Sequence, residues 1–159
     1  MSYAHLKFVR FDTNATLPRK AASSGTELDY QDAAFDLFPS INTTIVPGER
    51  ALIPTGLGAI IPIGYWVKFH ERSGLAAKNG IHIMGGVIDN TYLGEWKVVM
   101  YNSGSSTLTI SVDKAISQFT VEKLNWTSIS EISLSEFNNE FPNRNDNRKD
   151  KGFGSTDKK

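Results

Sequence analysis

The stretch YWVKFHE, residues 65–71, alternates strictly: Tyr65, Val67 and Phe69 fall on one side, Trp66, Lys68 and His70 on the other. A period of two is that of an extended strand with one face on a core. TLTISV (107–112) repeats it, with Leu108, Ile110 and Val112 set against Thr107, Thr109 and Ser111. EWKVVMYN (95–102) and ISQFTVEKL (116–124) carry apolar residues on both sides and read as strands covered on two faces. Turn-forming clusters fall between these runs: VPGE (46–49), PTGLG (54–58) and NSGSS (102–106). Short, β-branched, alternating runs between turn signals predict an all-β domain. A single short helix is expected in or just after RSGLAAK (72–78).

The 159 residues suffice for one domain with a sizeable core. Hydrophobic residues make up 40% and charged ones 21%, ordinary for a globular protein. The formal net charge is zero, which argues against a general nucleic-acid or membrane-surface binder, since both need a basic excess. The chain has no cysteine, so disulfides, thiolate nucleophiles and zinc–sulfur sites are excluded. MSYAHLKFVRFD lacks the apolar run of a signal peptide, and no stretch is long enough to span a bilayer. The expectation is a cytoplasmic protein of a bacterium or of a phage-infected cell.

Two regions break the strand pattern. Residues 19–34, RKAASSGTELDYQDAA, have the composition of a loop, and residues 138–151, NNEFPNRNDNRKDK, are almost wholly polar and read as a mobile linker. The expected organisation is a β-domain over 1–137 and a flexible linker with a C-terminal arm over 138–159. That arm ends in KGFGSTDKK, where one aromatic, Phe153, stands between two glycines and ahead of Ser155 and Thr156.

Candidate chemistry lies in a few segments. GVIDNTYLGE (86–95), flanked by strand-like runs at 81–88 and 95–101, reads as a hairpin tip bearing Asp89 and Tyr92, with Gly86 and Gly94 permitting close backbone approach. An Asx-type turn is the plain reading of Asp89; a general base is the sharper one. In ERSGLAAK (71–78), Arg72, Ser73 and Gly74 bring a guanidinium, a hydroxyl and an unobstructed N–H together, a set that suits phosphate oxygens. Taken alone, the triplet reads better as an N-cap serine beside a solvated arginine. Asp36 in AAFDLF (33–38) sits in an edge-strand pattern as a surface carboxylate, and Gln118 in KAISQFTV reads as a buried, backbone-bonded amide. His5, His70 and His82 are scattered and read as surface or interface packing.

In order and spacing, AAFDLF, RSGLAAK, GVIDNTYLGE, KAISQF and Arg148 with GFGST resemble the five motifs of the trimeric dUTP pyrophosphatase (dUTPase) family. The resemblance runs from ATLPRK (15–20) through PGERALIPTGLG (47–58) to Thr156. Two departures stand out. Ala34 replaces a usual glycine in the first motif, and the fourth reads DKAISQ for the family's GDRIAQ, so that Asp113 and Ala115 replace its glycine and arginine. The loop at 19–34 and the segment 125–147 look longer than usual.

The resemblance implies a β jelly roll that assembles as a homotrimer with sites shared between subunits. The implied activity is hydrolysis of dUTP to dUMP and pyrophosphate, which lowers dUTP and supplies dUMP for thymidylate synthesis. Asp89 would deprotonate the attacking water, and Tyr92 would lie under the deoxyribose. Backbone groups near Gly85, Gly86 and Lys97 would read the uracil edge. Arg72, Ser73, Gly74 and Gln118 would meet the phosphates, and Asp36 would hold Mg²⁺ through water. From a neighbouring subunit's arm, Phe153 would stack on the base, Gly154 would let the backbone approach, and Arg148, Ser155 and Thr156 would bind the terminal phosphate. Rival readings are a dCTP deaminase or bifunctional deaminase–dUTPase of the same fold, and a non-enzymatic jelly-roll regulatory module. The deaminases carry a Thr-Leu-Glu stretch where this chain has GEWKVVMYN (94–102).

Overall fold

The computed structural model describes residues 4–20 and 32–140. By compactness the chain divides into residues 1–125 and residues 126–159.

The first unit is built from short antiparallel strands. β1 (Lys7–Arg10) pairs with β5 (Leu57–Ile60), and β3 (Thr43–Ile45) with β10 (Leu108–Ile110). A three-stranded sheet runs β4 (Arg50–Pro54), β9 (Lys97–Asn102), β7 (Ile81–Met84). A four-stranded sheet runs β2 (Phe35–Leu37), β11 (Ser117–Lys123), β6 (Tyr65–His70), β8 (Val87–Ile88). Sheet neighbours are mostly far apart in sequence, the crossover pattern of a jelly roll. The expected all-β fold is what the chain adopts.

The alternation in residues 65–71 has the predicted outcome. Val67 and Phe69 are buried and Lys68 is exposed. Cross-strand register sets Phe69 beside Phe119 and Phe119 beside Phe35, so one face of the four-stranded sheet is an aromatic row. Trp96, fully buried, meets Phe8, Phe69 and Phe119 edge-on at centroid distances of 5.3, 5.6 and 5.4 Å. Such edge contacts set the positive rim of one ring on the negative face of the next. On the opposite face the same register aligns Asp36, Gln118 and His70 in a polar row.

Five expectations need correction. The run 81–88 is two strands, not one: Gly85 and Gly86 both have positive φ (73° and 94°), which breaks the ladder. The chain crosses there from β9's sheet to the edge of β6. A side chain at Gly86 would also press on the Phe69 backbone and Cβ, 3.1 Å from the latter. TLTISV stays in strand only to Ile110, because Lys114 N–H bonds the Ser111 carbonyl and closes a turn that leaves Val112 exposed. The helix at 72–78 forms as α1 (Ser73–Asn79), but Arg72 occupies the cap position and no side chain caps it, so Ser73 is not an N-cap. A second helix, α2 (Leu134–Glu140), appears within the second unit. Its signal is SLSE, residues 133–136: Ser133 Oγ accepts Glu136 N–H, and Glu136 Oε2 accepts Ser133 N–H at 2.8 Å, a reciprocal capping box. Residues 138–140, expected to open a linker, are the last turn of α2.

Candidate active site

A cavity of about 660 Å³ opens over the polar row of the four-stranded sheet. Asp36, His70, Glu71, Arg72, Ser73, Gly74 and Gln118 are among its lining residues. Three elements bring them together: edge strand β2, the junction of β6 with α1, and the start of β11. Edge position leaves β2 free on one side, where Arg19 makes an isolated bridge to Asp36.

Arg72 is fixed by two groups. Its Nε lies 3.1 Å from Asp36 Oδ1 and its Nη2 3.4 Å from Oδ2, while Nη1 donates to the Ala115 carbonyl at 3.2 Å. A planar guanidinium held at its fork presents its remaining N–H groups in a defined direction. Gln118 Nε2 donates to the Glu71 carbonyl at 2.7 Å, which turns its amide oxygen the other way. The expected backbone bond of Gln118 is therefore present, but the side chain is half-buried at a cavity wall rather than enclosed.

Sequence reasoning missed Glu71 and placed His70 elsewhere. His70, read as surface or interface packing, lines the cavity with Nε2 2.9 Å from Thr120 Oγ1. Glu71 Oε1 accepts Ile83 N–H at 3.1 Å and so ties the end of β6 to β7. The bond from its own backbone N–H and that from Ile83, with His82 and His70 nearby, outweigh burial and hold its carboxyl below the usual carboxylate range. The signal available was its position, directly before the Arg72–Gly74 triplet.

The second group of candidates lies apart. Asp89 and Tyr92 are exposed on the turn after β8, where Tyr92 N–H bonds the Asp89 carbonyl at 3.1 Å. Tyr92 folds back over Gly94, its hydroxyl donating to the Glu95 carbonyl at 2.9 Å; a Cβ at Gly94 would lie 2.7 Å from that hydroxyl. Glu95 anchors the turn through Gly56 N–H at 2.9 Å and pairs with Lys97 at 3.6 Å. Gly86 carbonyl accepts Phe69 N–H, whereas Gly85 faces open space. None of Gly85, Gly86, Asp89, Tyr92 or Lys97 lines the Arg72 cavity. Arg148, Phe153, Gly154, Ser155 and Thr156 lie outside the described residues.

Among the described residues no group of three or more His, Asp or Glu is placed to hold a metal ion, and no helix is long and apolar enough to cross a membrane.

The sequence model of the dUTPase family matches residues 22–157. The chain is 31% identical over 155 residues to the deoxyuridine 5'-triphosphate nucleotidohydrolase of Mus musculus, covering 98% of this chain and 86% of that one. It is 35% identical over 154 residues to the enzyme of the same name from Mycolicibacterium gilvum, covering 95% and 94%. Among solved structures it is similar to the dUTPase of Staphylococcus bacteriophage 80alpha, with a TM-score of 0.70 at 20% identity over 80% of this chain and 96% of that one. It is also similar to a dUTPase from phage phi11 of S. aureus described with a structural Mg(II) ion, with a TM-score of 0.71 at 21% identity over 84% and 99%.

Proposed function

The chain belongs to the dUTPase family, and from that premise we propose that it hydrolyses dUTP to dUMP and pyrophosphate by attack of water on the α-phosphorus. The observation that carries the reading is the Arg72 cavity. Arg72, Ser73 and Gly74 line it beside Gln118 and offer a guanidinium, a hydroxyl that caps nothing, and an unobstructed backbone. These are fixed donors for phosphate oxygens, and preorganised donors stabilise the charge that builds on them during displacement.

Asp89 takes a proton from the attacking water. The new P–O bond forms as the bond from the α-phosphorus to its bridging oxygen breaks, and pyrophosphate leaves. Tyr92, held over Gly94, presents its ring to the deoxyribose. Backbone groups at Gly85 and Gly86 and on β9 near Lys97 read the uracil edge. Asp89 and Tyr92 do not line the Arg72 cavity. The proposed complete site joins the cavity of one copy to the turn of another in a homotrimer, which their separation supports. From the proposed arm, Phe153 stacks on uracil, a contact worth about 1–3 kcal/mol. Gly154 allows close approach, and Arg148, Ser155 and Thr156 bind the terminal phosphate.

The family resemblance implies Mg²⁺ beside the substrate phosphates. Asp36 fits it as a partner through water: its carboxylate lies on the cavity wall but is already paired with Arg72. A hard cation that keeps several waters would need no more from the protein, and would supply neutralisation of phosphate charge. The proposed setting is cytoplasmic, with no nucleic-acid or membrane partner.

A turnover assay with dUTP, dCTP and dTTP tests the reading. We expect dUMP and pyrophosphate in equal amounts from dUTP alone; ammonia from dCTP would establish the deaminase instead, and no turnover of dUTP would leave a binding module.

A further inference from the structure

The turn that carries Asp89 and Tyr92 ends on Glu95 and Trp96, and both are stitched to the link between β4 and β5. Thr55 gives its N–H and its hydroxyl to the Trp96 carbonyl at 3.2 and 2.7 Å, and Trp96 N–H donates to the Leu57 carbonyl at 2.7 Å. The Trp96 ring is fully buried among the core aromatics, which fixes that end of the turn.

One residue earlier, Glu95 is held by its side chain. Its Oε1 accepts Gly56 N–H at 2.9 Å, and its Oε2 lies 3.6 Å from Lys97 Nζ. Gly56 is a rigid partner. Its φ is 67°, its carbonyl takes Phe11 N–H at 2.8 Å and Asp12 N–H at 3.2 Å, and a Cβ there would lie 2.8 Å from that of Asp12. On its backbone side, the Glu95 carbonyl accepts the Tyr92 hydroxyl at 2.9 Å. That carbonyl and Trp96 N–H belong to one peptide plane. The Leu57 bond holds the plane at one point, about which it can pivot; the Glu95–Gly56 bond supplies the second. The Tyr92 ring rests on Gly94, whose carbonyl lies close to Gly58: a Cβ on Gly58 would approach it to 3.0 Å.

We propose that Glu95 is a positioning residue that fixes the Tyr92 ring, and that its grip on Gly56 sets how strictly the site rejects a nucleotide with a 2′-hydroxyl. The proposal rests on the reading above that Tyr92 lies against the deoxyribose. An apolar pocket rejects an added hydroxyl by only about 10²-fold, so stricter rejection needs a wall that does not yield. The groups behind such a wall must hold it to within about 0.5 Å. Without the Gly56 contact the peptide plane pivots, the Tyr92 hydroxyl follows its acceptor, and the ring makes room for one more oxygen. The phosphate donors of the Arg72 cavity stand on other elements and are untouched.

Steady-state kinetics of the intact protein with dUTP and with UTP test the role, for the wild type, Glu95→Ala and Glu95→Gln. The amide oxygen of glutamine still accepts Gly56 N–H, so Glu95→Gln should keep the ratio of kcat/KM for dUTP over UTP to within about twofold. The lost pair with exposed Lys97 costs little. Glu95→Ala should lose about tenfold or more of that ratio, the scale of a small misplacement at a site. A merely structural role lowers both substrates alike and leaves the ratio unchanged. Glu95→Asp, too short to reach Gly56, should show the same loss and replaces the alanine variant if that one does not fold. Calorimetric titration with the non-hydrolysable imido analogues of dUTP and UTP repeats the comparison without turnover. A wild-type preference that survives in Glu95→Ala, or that falls as far in Glu95→Gln, overturns the proposal and leaves the proposed function standing. A wild type that neither hydrolyses dUTP nor prefers the deoxy analogue refutes the reading of the site, and the proposal with it.

Discussion

Asp89 stands exposed at a turn whose geometry its own backbone helps to set, since its carbonyl accepts Tyr92 N–H. Replacing its carboxylate therefore removes the proposed base and leaves that backbone bond in place. Asp89→Asn is expected to bind dUTP nearly as the wild type does and to lose about 10²–10⁴-fold in kcat, the contribution of a positioned base. Near-normal turnover in single-turnover and steady-state measurements would refute the role. Individual side chains differed in how legible they were. Arg72, Asp36 and Gln118 each had a plain use of their own, and only the order and spacing of the motifs, through the family resemblance, marked them. Glu71 and His70 were not marked, because their part depends on register: only the pairing of His70 with Gln118 puts both over one cavity.

At the scale of elements, the tie between β6 and β7 rests on Glu71, whose carboxylate accepts Ile83 N–H. A carboxyl held below its usual range adds stability above its unfolded pKa, about 4.3, and that stability is lost as pH falls through the lower folded value. Glu71 is largely exposed, so solvent screens the effect. Glu71→Gln is expected to melt about 1–3 °C below wild type at pH 7, the scale of a contact worth under about 1 kcal/mol. The gap should close as pH drops from 5 to 3, as followed by circular dichroism melts; a gap constant over that range would show that the charge plays no part. The strands were readable because half-burial imposes a period of two, and 65–71 shows it without exception. The 81–88 run misled because apolar residues on both sides of a Gly-Gly step resemble one continuous strand. What separates β7 from β8 is backbone φ, which hydrophobicity does not report. The SLSE box before α2 was readable, but surrounding polar residues masked it.

For the whole molecule, the all-β fold followed from the strand pattern, while the jelly-roll order of strands followed only from the resemblance, since pairing between distant segments leaves no local mark. The division of the candidate residues is a property of the same scale. One chain gathers Asp36, Arg72, Ser73, Gly74 and Gln118 in a cavity that Asp89 and Tyr92 do not line. A site shared between copies gives these facts one explanation and makes a quantitative demand. Asp89→Asn and Arg72→Ala chains, each inactive alone, are co-expressed in equal amounts under different tags, and mixed oligomers are purified and assayed with dUTP. If the cavity of one copy works with the turn of another, every mixed trimer restores both residues at one of its sites, and about a third of wild-type activity returns. Mixed oligomers no more active than either parent would contradict the shared site.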